Sequence, residues 1–206
     1  MKKLSLYIAL FCLIMTAGAC KNKTGGQTTA SSELSDDALM DTVQRRTFLY
    51  FWEGAEPNSG LAPERYHVDG VYPQNDANVV TSGGSGFGIM AILAGIDRGY
   101  VTREEGLARM ERIVSFLEKA DRFHGAYPHW WYGDTGKVKP FGQKDNGGDL
   151  VETAFLMQGL LAVHQYYING NKKEKALAQR IDQIWRDVDW LSLIHISEPT
   201  RLGMIS

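Results

Sequence analysis

Cysteine is scarce in this sequence, and neither sign of charge is in excess. The 206 residues contain two cysteines, Cys12 and Cys20, both near the N-terminus. The chain beyond Cys20 therefore has no thiol for a disulfide, a metal site or a catalytic nucleophile. With 22 basic and 24 acidic residues, the chain also lacks the basic excess that is typical of nucleic-acid binding. We predict no nucleic-acid partner.

The N-terminal residues have the pattern of an export signal. Two lysines precede an apolar run from Leu4 to Met15, which is short for a membrane-spanning helix. Residues 1–20 end in Ala-Gly-Ala-Cys and resemble a lipoprotein signal peptide, with Ala17 where leucine is usual. We expect Cys20 to carry a lipid anchor, residues 21–34 to form a polar tether, and the protein to be exported as a periplasmic or outer-membrane-anchored lipoprotein. An ordinary cleaved signal is the alternative.

The C-terminal segment, residues 191–206, resembles a translated sequencing adapter. LSLIHISEPTR, Leu191 to Arg201, is residue for residue the translation of a transposon-end adapter used in library preparation. We therefore expect an artefact tail and a natural sequence that continues beyond Trp190, with His195 and Glu198 outside any site. The alternative is a genuine C-terminal strand. Reading the source gene without transposon adapters tests this, because a stop codon directly after Ser206 would contradict it.

Helical periodicity predominates from residue 35 onward. It predicts an all-α fold with helices beginning near Ser35, Ser82, Thr102, Asp149 and Lys172. Ser82 is expected to cap its helix, and Thr102 with Glu105 has the spacing of a capping box. The loops 53–78 and 121–148 are long enough to carry function, and no β-hairpin is predicted. No fixed-period repeat is evident, which favours an α/α barrel over a helical solenoid.

Three carboxylates stand at the start of one predicted helix, in the stretch DNGGDLVET. If Asp149 begins the helix, Asp149 and Glu152 lie one turn apart on one face, and Gly147-Gly148 lets Asp145 fold back toward them. Close carboxylates push their pKa values apart, which suits the acid and base of glycoside hydrolysis. Spacing alone equally fits a cap at Asp149, dipole stabilisation by Glu152 and a solvated Asp145. A calcium site is a third reading.

Aromatic residues are concentrated just before these carboxylates, in FHGAYPHWWYGDTGKV. Tyrosine and tryptophan rings stack on the apolar faces of sugars while their polar edges form hydrogen bonds. We predict substrate binding by His129, Trp130 and Trp131, and by Arg65 and Tyr66 of the first long loop. The alternatives are a core role for one of the two tryptophans and an ordinary surface charge for Arg65.

The glycine-rich stretch SGGSGFG, residues 82–88, is not predicted to bind phosphate. It lacks the Lys-Ser/Thr ending of a phosphate loop, and no strand-like run precedes it. We expect it to allow close packing of backbone near a pocket.

Several motifs in order resemble the glycoamylase-like domain of bacterial glycoside hydrolases, close to glycoside hydrolase family 144. They are RTFLYFWE, GLAPERY, VVTSGGSGFGIMAILAGIDRGYVTREEG, HGAYPHWWYGDTGKV and DNGGDLVETAFLMQGLL, spread from about Thr42 to Trp190. The resemblance implies hydrolysis of an oligo- or polysaccharide, β-1,2-glucan, with inversion and without a cofactor or metal. It also implies an (α/α)6 barrel, of which residues 35–190 would form the truncated N-terminal part, and it places the essential acids at Asp145, Asp149 and Glu152.

Two points limit what the resemblance implies. The acid and base of an inverting hydrolase stand about 6.5–9.5 Å apart, so Asp149 and Glu152, one helical turn apart, are not expected to form the complete pair. Because an open barrel exposes apolar faces, the chain as written is expected to be insoluble, misfolded or inactive. A non-catalytic glycan-binding lipoprotein with the same cleft is the alternative function, and a polysaccharide lyase or sugar epimerase is a third.

Overall fold

The computed structural model describes residues 34–193. The predicted signal peptide with Cys20, nearly all of the tether and residues 194–206 of the predicted tail lie outside that range. The chain divides into two units, Met1–Leu39 and Met40–Ser206. Residues 34–39 of the first unit contain the start of the first helix. The helical packing, the sheet and the site belong to the second unit.

The fold is mostly helical, as predicted. The described range contains five helices of fifteen residues or more: α1 (Asp36–Trp52), α2 (Ser82–Asp97), α3 (Arg103–Leu117), α4 (Leu150–Tyr167) and α5 (Lys172–Arg186). A further helical turn covers 190–193. The capping box predicted at the start of α3 is confirmed, since the Thr102 side chain accepts from the Glu105 amide and Glu105 reaches back to the Thr102 amide. Within residues 34–193, no helix is both long and apolar enough to span a bilayer.

Helices α2 to α5 form two consecutive helical hairpins that pack side by side. α2 packs on α3 and α4 on α5, while α2 contacts α4 and α3 contacts α5 across the hairpins. Their shared core contains Met110, Ile113, Leu156, Leu160 and Ile181, each at most 1% exposed. Consecutive helical hairpins that pack side by side on a shared core are the arrangement expected in part of an α/α barrel.

Glycines allow the backbones of α2 and α4 to approach closely. A Cβ on Gly86 would overlap the carbonyl oxygen of Phe155, and a Cβ on Gly159 would lie 2.5 Å from the carbonyl oxygen of Gly86. Backbone atoms cannot move aside as a flexible side chain can, so neither position tolerates a side chain. The role predicted for the glycine-rich stretch, close packing rather than phosphate binding, agrees with this geometry.

A small antiparallel sheet joins the two long loops, and the prediction of no β-hairpin is wrong. Strands β1 (Val79–Thr81), β2 (Trp130–Tyr132) and β3 (Val138–Lys139) pair in that order, with Thr81 opposite Trp130 and Trp130 opposite Lys139. The β2–β3 hairpin turns through Gly136, whose φ is 70° and whose amide donates to the carbonyl of Tyr132 at 2.8 Å. Strands this short carry no measurable alternation of apolar residues. The glycines in YGDTGK were the available signal.

Candidate active site

Asp149 caps helix α4 with one carboxylate oxygen and contacts a histidine with the other. Its Oδ1 accepts from the amides of Val151 at 2.9 Å and Glu152 at 3.0 Å. Its Oδ2 lies 3.1 Å from Nδ1 of His129. The helix N-terminus stabilises the anion, so the structural reading of Asp149 as a cap is confirmed. The contact with His129 comes in addition to that role.

Glu152 belongs to α4, but its side chain caps the neighbouring helix α2. Its Oε2 accepts from the amide of Gly83 at 2.7 Å and from Oγ1 of Thr81 at 3.4 Å. Thr81 is the N-cap residue of α2, yet its side chain makes no capping hydrogen bond. A Cβ on Gly83 would lie 2.5 Å from Oε2 of Glu152. One carboxylate of α4 therefore satisfies a backbone donor at the start of α2 that has no partner within that helix.

Ser82 does not cap α2, contrary to the prediction. Its hydroxyl is buried and donates to the carbonyls of Pro128 and His129, the latter at 3.0 Å. The Ser82 amide also donates to the carbonyl of His129 at 3.2 Å. The first residue of α2 thus holds the backbone of His129 in place, because it binds that carbonyl through two donors.

Asp145 converges with Asp149 and His129. A ring nitrogen of His129 and one oxygen from each aspartate all lie within 4.8 Å of one another. Within the described residues, no donor is hydrogen-bonded to the half-buried Asp145 carboxylate, so of the predicted acids it is the one whose side chain is not committed to a helix N-terminus. The expected convergence therefore holds for Asp145 and Asp149, while Glu152 is directed to α2. These nitrogen and oxygen ligands could also hold a divalent cation.

We call the cluster of Asp145, Asp149 and His129 the acidic centre. Three rings pack on one another at this centre and form what we call the aromatic platform: His129, Trp130 and Phe141. The ring centroid of Phe141 lies 4.3 Å from that of His129 and 4.8 Å from that of Trp130, and His129 and Trp130 are 5.3 Å apart. Nζ of Lys139 lies 5.7 Å above the Trp130 ring. The sequence reasoning missed Phe141. The one available signal was an aromatic residue isolated in the polar loop before DNGGD.

Trp131 is a core residue, and its predicted contact with substrate is wrong. It is 0% exposed, and its ring packs edge-on against Tyr127 at 5.3 Å and Phe116 at 5.9 Å. Its Nε1 donates to the carbonyl of Asp121 at 3.2 Å. Successive side chains of a strand point to opposite faces, so Trp131 is buried while Trp130, its neighbour in β2, is half-buried in the aromatic platform. The alternative of one ring in the core and one at the rim is confirmed.

Arg65 and Tyr66 lie away from the acidic residues along the sheet. Pro63 pairs with Val80, so the chain reaches Arg65 beyond the Val79 end of β1, whereas the opposite end adjoins His129. Arg65 is paired with Glu64 and lies 3.6 Å from Asp76 of the same loop, and Tyr66 is 67% exposed. Among the described residues, neither contacts the carboxylates of Asp145, Asp149 or Glu152. Their role in substrate binding stays a prediction.

Comparison with known proteins finds similar sequences and similar structures. No protein-family profile matches the chain. It is 56% identical over 158 residues to an exo β-1,2-glucooligosaccharide sophorohydrolase (non-reducing end) of Parabacteroides distasonis, a match that covers 76% of this chain and 21% of that protein. The described helices also match a crystal structure of a candidate glucoamylase from Bacteroides caccae, with 96% identity and a TM-score of 0.75, over 76% of this chain and 38% of the other.

A third relative was solved with sugars bound. It is the endo-β-1,2-glucanase of Chitinophaga pinensis in complex with sophorotriose and glucose, 71% identical with a TM-score of 0.75, again over 76% of this chain and 38% of the other. The chain thus spans about one fifth of the curated relative and about two fifths of these two solved proteins. Over the matched three quarters of the chain, the resemblance seen in its motifs is confirmed.

Proposed function

We propose that this chain, which carries part of the glycoamylase-like domain found in β-1,2-glucan hydrolases, supplies the acidic centre of a glycoside hydrolase that cleaves β-1,2-glucan with inversion. The convergence of Asp145, Asp149 and His129 at the start of α4 carries this proposal. The aromatic platform beside these groups offers flat apolar surface on which a glucose ring can stack. Relatives named as β-1,2-glucan hydrolases support the substrate class.

The hydrogen bonds suggest different duties for the three carboxylates. An inverting hydrolase needs one carboxyl group to protonate the departing oxygen and another to activate water. A carboxylate can exchange protons with a substrate only if an oxygen remains accessible. Asp145 meets this requirement, whereas the oxygens of Asp149 contact the start of α4 and His129. We assign proton exchange to Asp145 and the positioning of His129 and α4 to Asp149.

Glu152 contributes through one oxygen in the same framework. Its Oε2 holds the start of α2, which leaves Oε1 as the oxygen available to a substrate or water. A base at about 6.5–9.5 Å from the acid requires space for one water molecule between them. The partner of Asp145 across the sugar is therefore Glu152 through Oε1, or a carboxylate of the longer domain that the relatives contain.

The proposed function is tested with the product of the complete gene, which we call the full-length protein. We expect it to release oligosaccharides from β-1,2-glucan and to leave starch intact, with NMR of the fresh product showing an inverted anomeric centre. Turnover should persist in EDTA, because the acids act without a metal. Binding of β-1,2-glucan without turnover would favour the glycan-binding alternative, release of glucose from starch would favour a glucoamylase, and an ultraviolet-absorbing unsaturated product would favour a lyase.

We also propose that the protein is exported and anchored through a lipid on Cys20. The support is the signal-like pattern of residues 1–20, in which a lysine pair and an apolar run lead to Ala-Gly-Ala-Cys. Labelling of cells with a tagged fatty acid should mark the full-length protein, and Cys20→Ser should remove the label. Unlabelled protein in the periplasm would instead support an ordinary cleaved signal.

A further inference from the structure

Phe141 is an exposed aromatic residue beside the acidic centre. It is 53% exposed. Its buried side packs against the rings of His129 and Trp130 at 4.3 and 4.8 Å. The exposed side therefore presents a flat apolar surface directly beside the histidine that contacts Asp149.

Phe141 and Asp145 belong to one closed turn. The Phe141 amide donates to the carbonyl of Asp145 at 2.9 Å, and the Asp145 amide donates to the carbonyl of Gly142 at 3.1 Å. The three residues between them, 142–144, are exposed. Because the two ends of the turn are joined by backbone hydrogen bonds, a displacement of Phe141 displaces the backbone of Asp145 with it.

The two end residues of the turn make its contacts with the acidic centre. The middle is open at Gly142, where a Cβ would meet no atom within 4 Å. At one end the Phe141 ring packs in the aromatic platform, and at the other the Asp145 carboxylate faces His129 and Asp149. The ring of Phe141 is thus a principal packing contact of the segment that carries the uncommitted carboxylate.

We propose that Phe141 is a positioning residue: its ring forms one wall of a subsite for a glucose unit and, through the turn 141–145, sets the position of Asp145. A sugar face stacked on the ring presses it onto His129 and Trp130. This contact fixes the Asp145 carboxylate in the position required for proton exchange. Binding at this subsite and proton exchange at Asp145 are then coupled. This proposal rests on the proposed function, because it concerns a step of the same reaction.

The test compares three variants of the full-length protein on β-1,2-glucooligosaccharides. Phe141→Ala should raise KM about tenfold through lost stacking and lower kcat about 10- to 100-fold through misplacement of Asp145. Phe141→Tyr keeps the ring, so its KM and kcat should stay close to those of the unmodified protein. Lys144→Ala, an exposed change in the same turn, is the matched control and should alter neither. The melting temperatures of all three should match that of the unmodified protein.

Each other outcome is decisive. A raised KM with unchanged kcat in Phe141→Ala would show stacking without positioning and overturn the coupling. Unchanged constants, or a loss that Phe141→Tyr does not restore, would overturn both roles of the ring. If the unmodified full-length protein turned over no β-1,2-glucan, the proposed function itself would fail, and the proposal would fail with it.

Discussion

Replacement of Asp145 by asparagine should lower kcat on β-1,2-glucan by about 10²- to 10⁴-fold in the full-length protein, the range that general acid–base catalysis contributes. The amide is nearly the same size as the carboxylate but cannot exchange a proton. Asp145 holds the turn through its backbone, and asparagine keeps those hydrogen bonds. We therefore expect the melting temperature, and the dissociation constant for sophorotriose measured by calorimetry, to stay close to those of the unmodified protein.

The matched control for this variant is Asp134→Asn. Asp134 is an exposed aspartate in the β2–β3 turn, so its replacement removes the same charge without touching the acidic centre. It should leave kcat unchanged. Full activity of Asp145→Asn would remove Asp145 from the reaction and return it to the role of a solvated loop carboxylate.

Gly86→Ala should reduce the free energy of unfolding by about 3 kcal/mol, at the upper end of the usual cost of overpacking. The new methyl group would overlap the carbonyl of Phe155, which belongs to the backbone of α4 and cannot rotate away. Alanine is otherwise the better helix former, so the loss would be the net of a favourable propensity and a larger steric cost. Urea denaturation of the full-length protein measures the difference.

Gly142→Ala is the control for this second variant. A Cβ at Gly142 meets nothing within 4 Å, and we expect a change within about 0.5 kcal/mol, as for ordinary surface substitutions. If Gly86→Ala were as stable as Gly142→Ala, α2 and α4 could move apart to accommodate the methyl group without a loss in the free energy of unfolding. The close approach of their backbones would then be no constraint on the sequence.

Features set by neighbouring residues were predictable from the sequence. The helices follow from apolar spacing, and the caps at Thr102 and Asp149 depend on donors two or three residues away. The convergence of Asp145 with Asp149 was predictable for the same reason, because only three residues, two of them glycines, stand between them. Interactions of this kind can be predicted from a sequence because the interacting residues lie within a few positions of one another.

Features that join distant segments were not predictable. Glu152 was expected near the other acids, yet its partner Gly83 lies 69 residues earlier in the chain. Within its own helix, no sequence signal distinguishes a glutamate that caps its own turn from one that caps a neighbour. Trp130 and Trp131 differ only in which face of a three-residue strand they occupy. Assigning Trp130 and Trp131 to their faces requires the position of β2 in the sheet. That sheet forms only when segments from the two long loops pair.

The contacts between α2 and α4 also bear on how such domains can be recombined. Glu152 of α4 accepts from the amide of Gly83 in α2, and Gly159 of α4 lies against the backbone carbonyl of Gly86 in α2. A chimera that takes one helix from this chain and the other from a distant homologue would have to inherit both pairs intact. The smallest exchangeable module of the acidic centre is therefore the helix pair with its two preceding loops, and a library built by shuffling single helices would be populated mainly by misfolded clones.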